Sequence, residues 1–417
     1  MRGALRWANV RSGESKRMRS TGGTFPRRCS CAASSPRRGA RSAHLPERIG
    51  WFAFARDGKV LAALETGLFA LTLDEPAPGE TSVRQGAIDV HRLEVVAHAT
   101  GNMCFNDGRC DRLGRFWAGT FQDQDVVEIE SGASRLLFAP QAGGRLLSWR
   151  LDGASVIHWP DAADWNHPAA VRGGNPLLFP FVGRHRVNGE IGWWRDDQGV
   201  VRAVPLHGFA RDLLFTAQVS PQGDAVCMTL TDTEATRAVY PFGFRFEAAY
   251  RLVDEATLDV ELTTGNTGAT RLPYYAGHHF YFTFPHARRG DSTLTLLRTV
   301  ARHQRPDGTI TDPVEGARRY TFDDAQILDR FHCLDGAPEA PVRIDIPASR
   351  RIIEIDLQRP ESAPWYAVTS WTETLQSDFY CVEPWLGLPD AIHNGLGLRW
   401  LEPGQTETAA LRISLSA

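Results

Sequence analysis

From Ser134 to the end of the chain, apolar residues recur at every second position and nowhere sustain the spacing of a helix. Leu258, Val260 and Leu262 alternate with Asp259, Glu261 and Thr263; Val342, Ile344 and Ile346 alternate with Arg343 and Asp345; Leu411, Ile413 and Leu415 close the sequence. A period of two sends alternate side chains to opposite faces of a strand, so each run reads as a strand with one face in a core. Many short strands with Gly-, Pro- and Asn-rich connections, over about 285 residues, imply an all-β fold, a large antiparallel sandwich. A sandwich of that size has room for a wide concave sheet, a shape that suits sugars.

Charge and residue usage exclude several kinds of chemistry. The formal net charge is −3, but residues 1–45 carry ten arginines and Lys16 against Glu14 alone, about +10, which leaves a strongly acidic remainder. A body of that sign does not recruit nucleic acid. The basic leader is rich in Arg, Ser and Gly without hydrophobic periodicity and is expected to stay disordered. Seven cysteines (Cys29, Cys31, Cys104, Cys110, Cys227, Cys333 and Cys381) are odd in number and scattered, which fits reduced thiols. Neither Cys29 and Cys31 nor Cys104 and Cys110 have zinc-ribbon spacing. Lys16 and Lys59 are the only lysines, so Schiff-base and pyridoxal chemistry is excluded from the C-terminal two thirds. With no apolar run near the roughly 18 residues of a membrane span and no export signal, the expected compartment is the cytoplasm.

Residues 46–126 have a different texture. The pieces WFAFARDG, KVLAALET and GLFALTLD are separated by Asp-Gly and Thr-Gly turn signals. PERIGWFAFARDG and FNDGRCDRLGRFWAGT resemble the gluconolactonase and regucalcin family of β-propellers. The resemblance implies that Asn106 would help hold a divalent metal on the propeller axis. It covers only about 80 residues, so a partial propeller is expected, with Asn106-Asp107-Gly108 a turn in a remnant and no metal held.

The stretch LPYYAGHHFYF, Leu272 to Phe282, reads as a buried strand that carries two adjacent histidines, and strand geometry points His278 and His279 to opposite faces. Glu383 emerges from a second apolar strand just before Pro384. An imidazole and a carboxyl on rigid strands are the parts for paired proton transfer. GGNPLLFPFVGRHRVNG delivers Arg184 to the end of a buried run from Leu177 to Val182, and PLHGFARD sets His207 and Arg211 around Gly208 in a tight connection. Trp193, Trp194, Tyr281 and Trp385 are the aromatic faces available to a sugar ring, with Trp193 and Trp194 better explained by packing.

GGNPLLFPFVGR, PLHGFAR, GHHFYF, CVEPW and LEPGQT, in that order, resemble the aldose 1-epimerase family, the galactose mutarotase-like proteins with their hexose-6-phosphate branch. The resemblance covers 130–417 and implies a β-supersandwich. It makes His279 the catalytic acid, Glu383 the catalytic base, and His207, Arg211 and Arg184 substrate contacts. Arg186 competes with Arg184 for that role, and Asp329 stands in for the family's substrate-binding aspartate. The implied reaction interconverts the anomers of a hexose or hexose 6-phosphate by opening and closing the ring, with the two groups on opposite sides of it and neither metal nor cofactor. A non-catalytic sugar-binding protein with the same cleft is the alternative. The expected partner is a small sugar or sugar phosphate, with no nucleic acid and no membrane.

Overall fold

The computed structural model describes residues 126–416 except 161–162, 166, 297–298 and 335–339, and, before residue 126, the strands named below with a few of their side chains. The chain divides into two compact units, residues 1–123 and 124–417.

In the first unit Ile49–Phe54, Val60–Leu64, Gly67–Leu73 and Ile88–Val95 form a four-stranded antiparallel meander. Val60, Ala62, Leu64, Phe69 and Leu71 are buried. Met103–Cys110 pairs with Phe116–Gln122. Asn106, Asp107 and Gly108 thus lie within a strand and not at the turn expected of them. The register shifts between Phe105 and Asp107, so Asn106 is the extra residue of a bulge. Its side chain lies outside the described residues, as does any metal shell built on it. Within the first 45 residues, where an unpacked leader is expected, Arg17–Ser20, Ser30–Ser35 and Arg38–His44 pair in a three-stranded antiparallel sheet. The remainder of that stretch is outside the described residues.

The second unit opens with Val127–Ser131, Ser134–Ala139, Arg145–Leu151 and Ala154–Ser155, an antiparallel sheet of four. Two larger antiparallel sheets follow. One has nine strands, in the order Thr216–Val219, Ala225–Thr231, Phe244–Asp254, Thr257–Asn266, Thr406–Ser416, Arg351–Asp356, Val342–Ile346, Thr293–Thr295 and Arg319–Thr321. The alternation seen in sequence is its register: Leu258, Val260 and Leu262 stand opposite Ile413, Leu411 and Ala409, all buried. On the outer face Asp259 takes a forked pair of hydrogen bonds from Arg412, at 2.6 and 2.7 Å.

The other sheet has eight strands, ordered Leu177–Leu178, Gly277–His278, Phe379–Trp385, Ala367–Trp371, Arg330–Leu334, Thr299–Arg302 and Val314–Glu315, with Tyr281–Thr283 also pairing Phe379–Trp385. One continuous apolar core, including Phe179 stacked on Phe246 with ring centroids 4.4 Å apart, draws residues from both sheets. Each fully buried aromatic or aliphatic side chain of this kind contributes about 1.5–3 kcal/mol. Two short helices interrupt the sheet pattern among the described residues, Glu234–Val239 and Ala391–Asn394. The first starts at Thr233, whose hydroxyl accepts the Thr236 N–H while the Thr236 hydroxyl accepts the Thr233 N–H. None of these helices is long and apolar enough to cross a membrane. Cys227, Cys333 and Cys381 are free thiols.

The stretch Leu272–Phe282 departs from expectation. It is not one strand but three short pieces, Leu272–Tyr274, Gly277–His278 and Tyr281–Thr283, the first pairing with Arg399–Leu401 and the others with Phe379–Trp385.

Candidate active site

Register brings the two candidate proton-transfer groups together. Gly277 stands opposite Trp385 and Tyr281 opposite Cys381, which sets His279 opposite Glu383. Directly opposed residues have neighbouring Cβ atoms, and here His279 Nε2 lies 3.5 Å from Glu383 Oε2. That distance is shorter than the width of a pyranose ring. Glu383 is 1% exposed and His279 7%, yet both line one cavity with Arg172, Arg184, His207, Arg211, Asp329, Thr369, Trp371 and Trp385. A second concavity, about 350 Å³ on the outer face of the nine-stranded sheet, has no histidine in its lining.

Burial governs the protonation of the pair. It pushes the Glu383 carboxyl well above the ordinary carboxylate range, and the nearby Asp329 charge adds to the effect. It holds the His279 imidazole well below its ordinary value, with Arg211, Arg145 and Arg172 lowering it further. Both shifts act in the same sense, favouring the protonated carboxyl and the neutral imidazole.

His278 points the other way, as alternation requires. Its Nδ1 accepts from Asn175 Nδ2 at 2.9 Å, and burial lowers it to about 3. Asn175 also accepts the His279 backbone N–H on Oδ1 at 2.8 Å and donates to the Tyr250 hydroxyl at 2.9 Å. One buried amide thus anchors the backbone that presents His279.

His207 is positioned by its own backbone. It has φ of +63° and precedes Gly208 at +77°. A Cβ on Gly208 would come within 2.1 Å of the Phe179 carbonyl oxygen, so glycine is required there. The turn feeds a single 3₁₀ turn, Ala210–Asp212, and not a helix. His207 Nδ1 accepts the Gly183 N–H at 3.1 Å. Burial, with Arg211 next, keeps the ring neutral, so its proton sits on Nε2. The ring stands edge-on to His279 at 5.4 Å and to Trp385 at 5.7 Å.

Arg211 is buried and spends its terminal nitrogens on the Ala169 and Leu206 carbonyls. Its Nε has no protein partner. Arg184 is exposed and lines the cavity, whereas Arg186 donates to the Pro306 carbonyl and is absent from the lining, so of the two it is Arg184 that reaches the site. Asp329 lines the cavity at φ +52°, a left-handed conformation uncommon for a non-glycine residue. Trp385 lines the cavity, Tyr281 stacks under His279 at 4.7 Å, Trp194 is buried elsewhere and Trp193 is 39% exposed.

Several lining residues escape sequence reasoning. Arg172 directly precedes the GGNP motif and is tied to Glu373 at 2.9 Å, with its guanidinium 5.6 Å from the Trp371 ring. Arg145, not itself in the lining, is fully buried, and burial pulls it down to about 10, with Arg211 and Arg172 lowering it further. In a chain that uses arginine for nearly every cation, neither carried a local signal. Thr369 could have been found only from pairing, since it stands beside Glu383 on the next strand.

A family model described as aldose 1-epimerase matches residues 125–414, and one described as SMP-30/Gluconolactonase/LRE-like region matches residues 2–163. A curated protein of Escherichia coli (strain K12), "Putative glucose-6-phosphate 1-epimerase", is 28% identical over 141 residues, 33% of this chain and 43% of that protein. The matched stretch thus spans less than half of that relative's length. Among solved structures, the Slr1438 protein from Synechocystis sp. PCC 6803 aligns with TM-score 0.58 and 23% identity over 70% of this chain and 95% of its own. A galactose mutarotase related enzyme from Lactobacillus acidophilus aligns with TM-score 0.59 and 20% identity over 70% of this chain and 97% of its own. These likenesses identify the β-supersandwich, and the family match, which takes in well over half of the residues, shows that the chain belongs to the aldose 1-epimerase family.

Proposed function

We propose that the second unit is an aldose 1-epimerase that interconverts the α and β anomers of a hexose 6-phosphate, with His279 and Glu383 as its acid–base pair. The observation that carries this reading is the 3.5 Å separation of His279 Nε2 and Glu383 Oε2 within one cavity. The anomeric hydroxyl and the ring oxygen of an aldose are bonded to the same carbon, so a pair this close serves both atoms from one side.

The pair holds one proton. A bound sugar gives each group a polar partner in place of lost water, which favours the carboxylate and imidazolium forms over the neutral ones. Glu383 then takes the anomeric hydroxyl proton, His279 gives its proton to the ring oxygen, the C1–O5 bond breaks with its electrons going to O5, and C1 becomes an aldehyde. Rotation about C1–C2 and the same transfers in reverse close the ring on the other face. Each group is worth about 10²–10⁴ in rate as a positioned acid or base. His207, with its Nε2 proton free of the Gly183 contact, supplies a donor to a sugar oxygen, and Trp385 offers an apolar face.

Arg172, Arg184 and Arg211 around the cavity support a phosphorylated substrate, because guanidinium groups match phosphate oxygens. The printed name of the Escherichia coli relative points the same way. The test is anomer exchange followed by NMR with α-glucose and α-glucose 6-phosphate. Exchange of the phosphate at a higher kcat/KM supports the reading, and sugar binding by calorimetry without any acceleration replaces it with a non-catalytic sugar-binding protein.

A further inference from the structure

We propose that His279, Cys381 and Glu383 together form a binding site for a thiophilic divalent cation, with zinc as the model ion, whose occupancy shuts off the epimerase. The inhibitory arm rests on the function proposed above; the binding arm does not.

The site is built from the same cross-strand register. Cys381 and Glu383 are two residues apart on Phe379–Trp385 and so share a face, and His279 stands opposite Glu383 and diagonal to Cys381. One ligand atom from each residue lies within 4.8 Å of the others, and all three residues are buried. Zinc takes nitrogen, sulfur and oxygen at about 2.0–2.3 Å in a tetrahedron, which separates its ligands by about 3.3–3.7 Å. The His279–Glu383 gap of 3.5 Å already meets that spacing. The widest gap, up to 4.8 Å, exceeds that spacing by about 1 Å.

Two further observations point to a ligand. Glu383 Oε2 is buried with no hydrogen-bond partner, a costly state for a polar atom in a core. Charge also balances. Binding releases the thiol proton and the carboxyl proton to solvent, and a dication with one thiolate, one carboxylate and one neutral imidazole is a neutral unit. Burial holds both the Cys381 thiol and the Glu383 carboxyl above their ordinary values, so the ion has to displace a proton from each. His279 and Glu383 also line the cavity, from which water would complete the shell. An ion so placed occupies both proton-transfer groups at once. Cys381 touches no reacting atom in the proposed mechanism, which is why its loss separates metal binding from catalysis.

Cobalt(II) is the direct probe, because a thiolate ligand gives it an intense near-ultraviolet charge-transfer absorption. Titrated into the full chain, it is expected to develop this band with the wild type and with Cys227→Ser, and to lose the 381-dependent component in Cys381→Ser. Glu383→Gln, a near-isosteric change, is expected to weaken the same component at least tenfold, which keeps the test open if Cys381→Ser fails to fold. Zinc is expected to inhibit anomer exchange competitively with sugar in the wild type and at least tenfold more weakly in Cys381→Ser. Identical cobalt spectra in wild type and Cys381→Ser overturn the proposal whether or not the chain is an epimerase. A cobalt band that depends on Cys381 in a protein without exchange activity upholds the site and removes only the inhibitory consequence.

Discussion

His279 and Glu383, more than a hundred residues apart in the chain, are direct cross-strand partners whose Nε2 and Oε2 atoms lie 3.5 Å apart at the floor of one cavity. Burial favours the protonated form of the carboxyl and the neutral form of the imidazole.

The first consequence is a pH-dependent stability. Glu383 is raised in the fold, so above the ordinary carboxylate pKa of about 4.3 the unfolded chain ionises this group while the folded chain keeps it protonated. Folding then takes up a proton, and stability present below that value declines as pH rises toward the folded pKa. Glu383→Gln, neutral at all pH, lacks this decline. Thermal melts are expected to show the difference in Tm between Glu383→Gln and wild type moving in favour of the variant as pH rises from 4 to 7.

His279 titrates with the opposite sign. Its folded value is depressed, so its contribution is present above about 6.5, the unfolded value, and declines as pH falls. His279→Gln is expected to melt relatively better than wild type below pH 6, again by thermal melts in parallel buffers.

The turn that sets His207 is under strict steric control. Gly208→Ala places a Cβ against the Phe179 carbonyl at φ +77°, at a cost of about 1–3 kcal/mol. The expected result is a Tm several degrees lower and, because His207 moves with the turn, a raised KM for sugar in the activity that remains.

Arg211 tests the phosphate assignment. Arg211→Lys keeps the charge but loses the fork that holds the Ala169 and Leu206 carbonyls. Kinetics with both substrates are expected to show a larger fall in kcat/KM for glucose 6-phosphate than for glucose, by about tenfold. Equal losses would locate the phosphate elsewhere, at Arg172 or Arg184.

Much of this arrangement is legible in the residues because period-two alternation survives in folded register. Leu258, Val260 and Leu262 are buried where their pattern puts them, and His278 and His279 do face opposite ways. Leu272–Phe282 reads as one strand and is three pieces, since the chain crosses from pairing with Arg399–Leu401 to pairing with Phe379–Trp385 within a few residues, and local propensity holds no record of partner exchange. The closeness of His279 and Glu383 is not legible for a related reason: register between distant strands is a tertiary property. Arg172 and Arg145 stayed hidden behind the chain's general preference for arginine. Asp329 lines the cavity on a left-handed backbone conformation that carries no local signal in the residues around it.

The most direct test of the acid–base pair is the rate of anomer exchange, by NMR or polarimetry, in wild type, Glu383→Gln, His279→Gln and the double variant. The account predicts acceleration by the wild type, a loss of about 10²–10⁴ in kcat for each single variant, and a double variant little worse than the poorer single one, because the two groups act as a unit. A Glu383→Gln protein that keeps the full wild-type rate would contradict it.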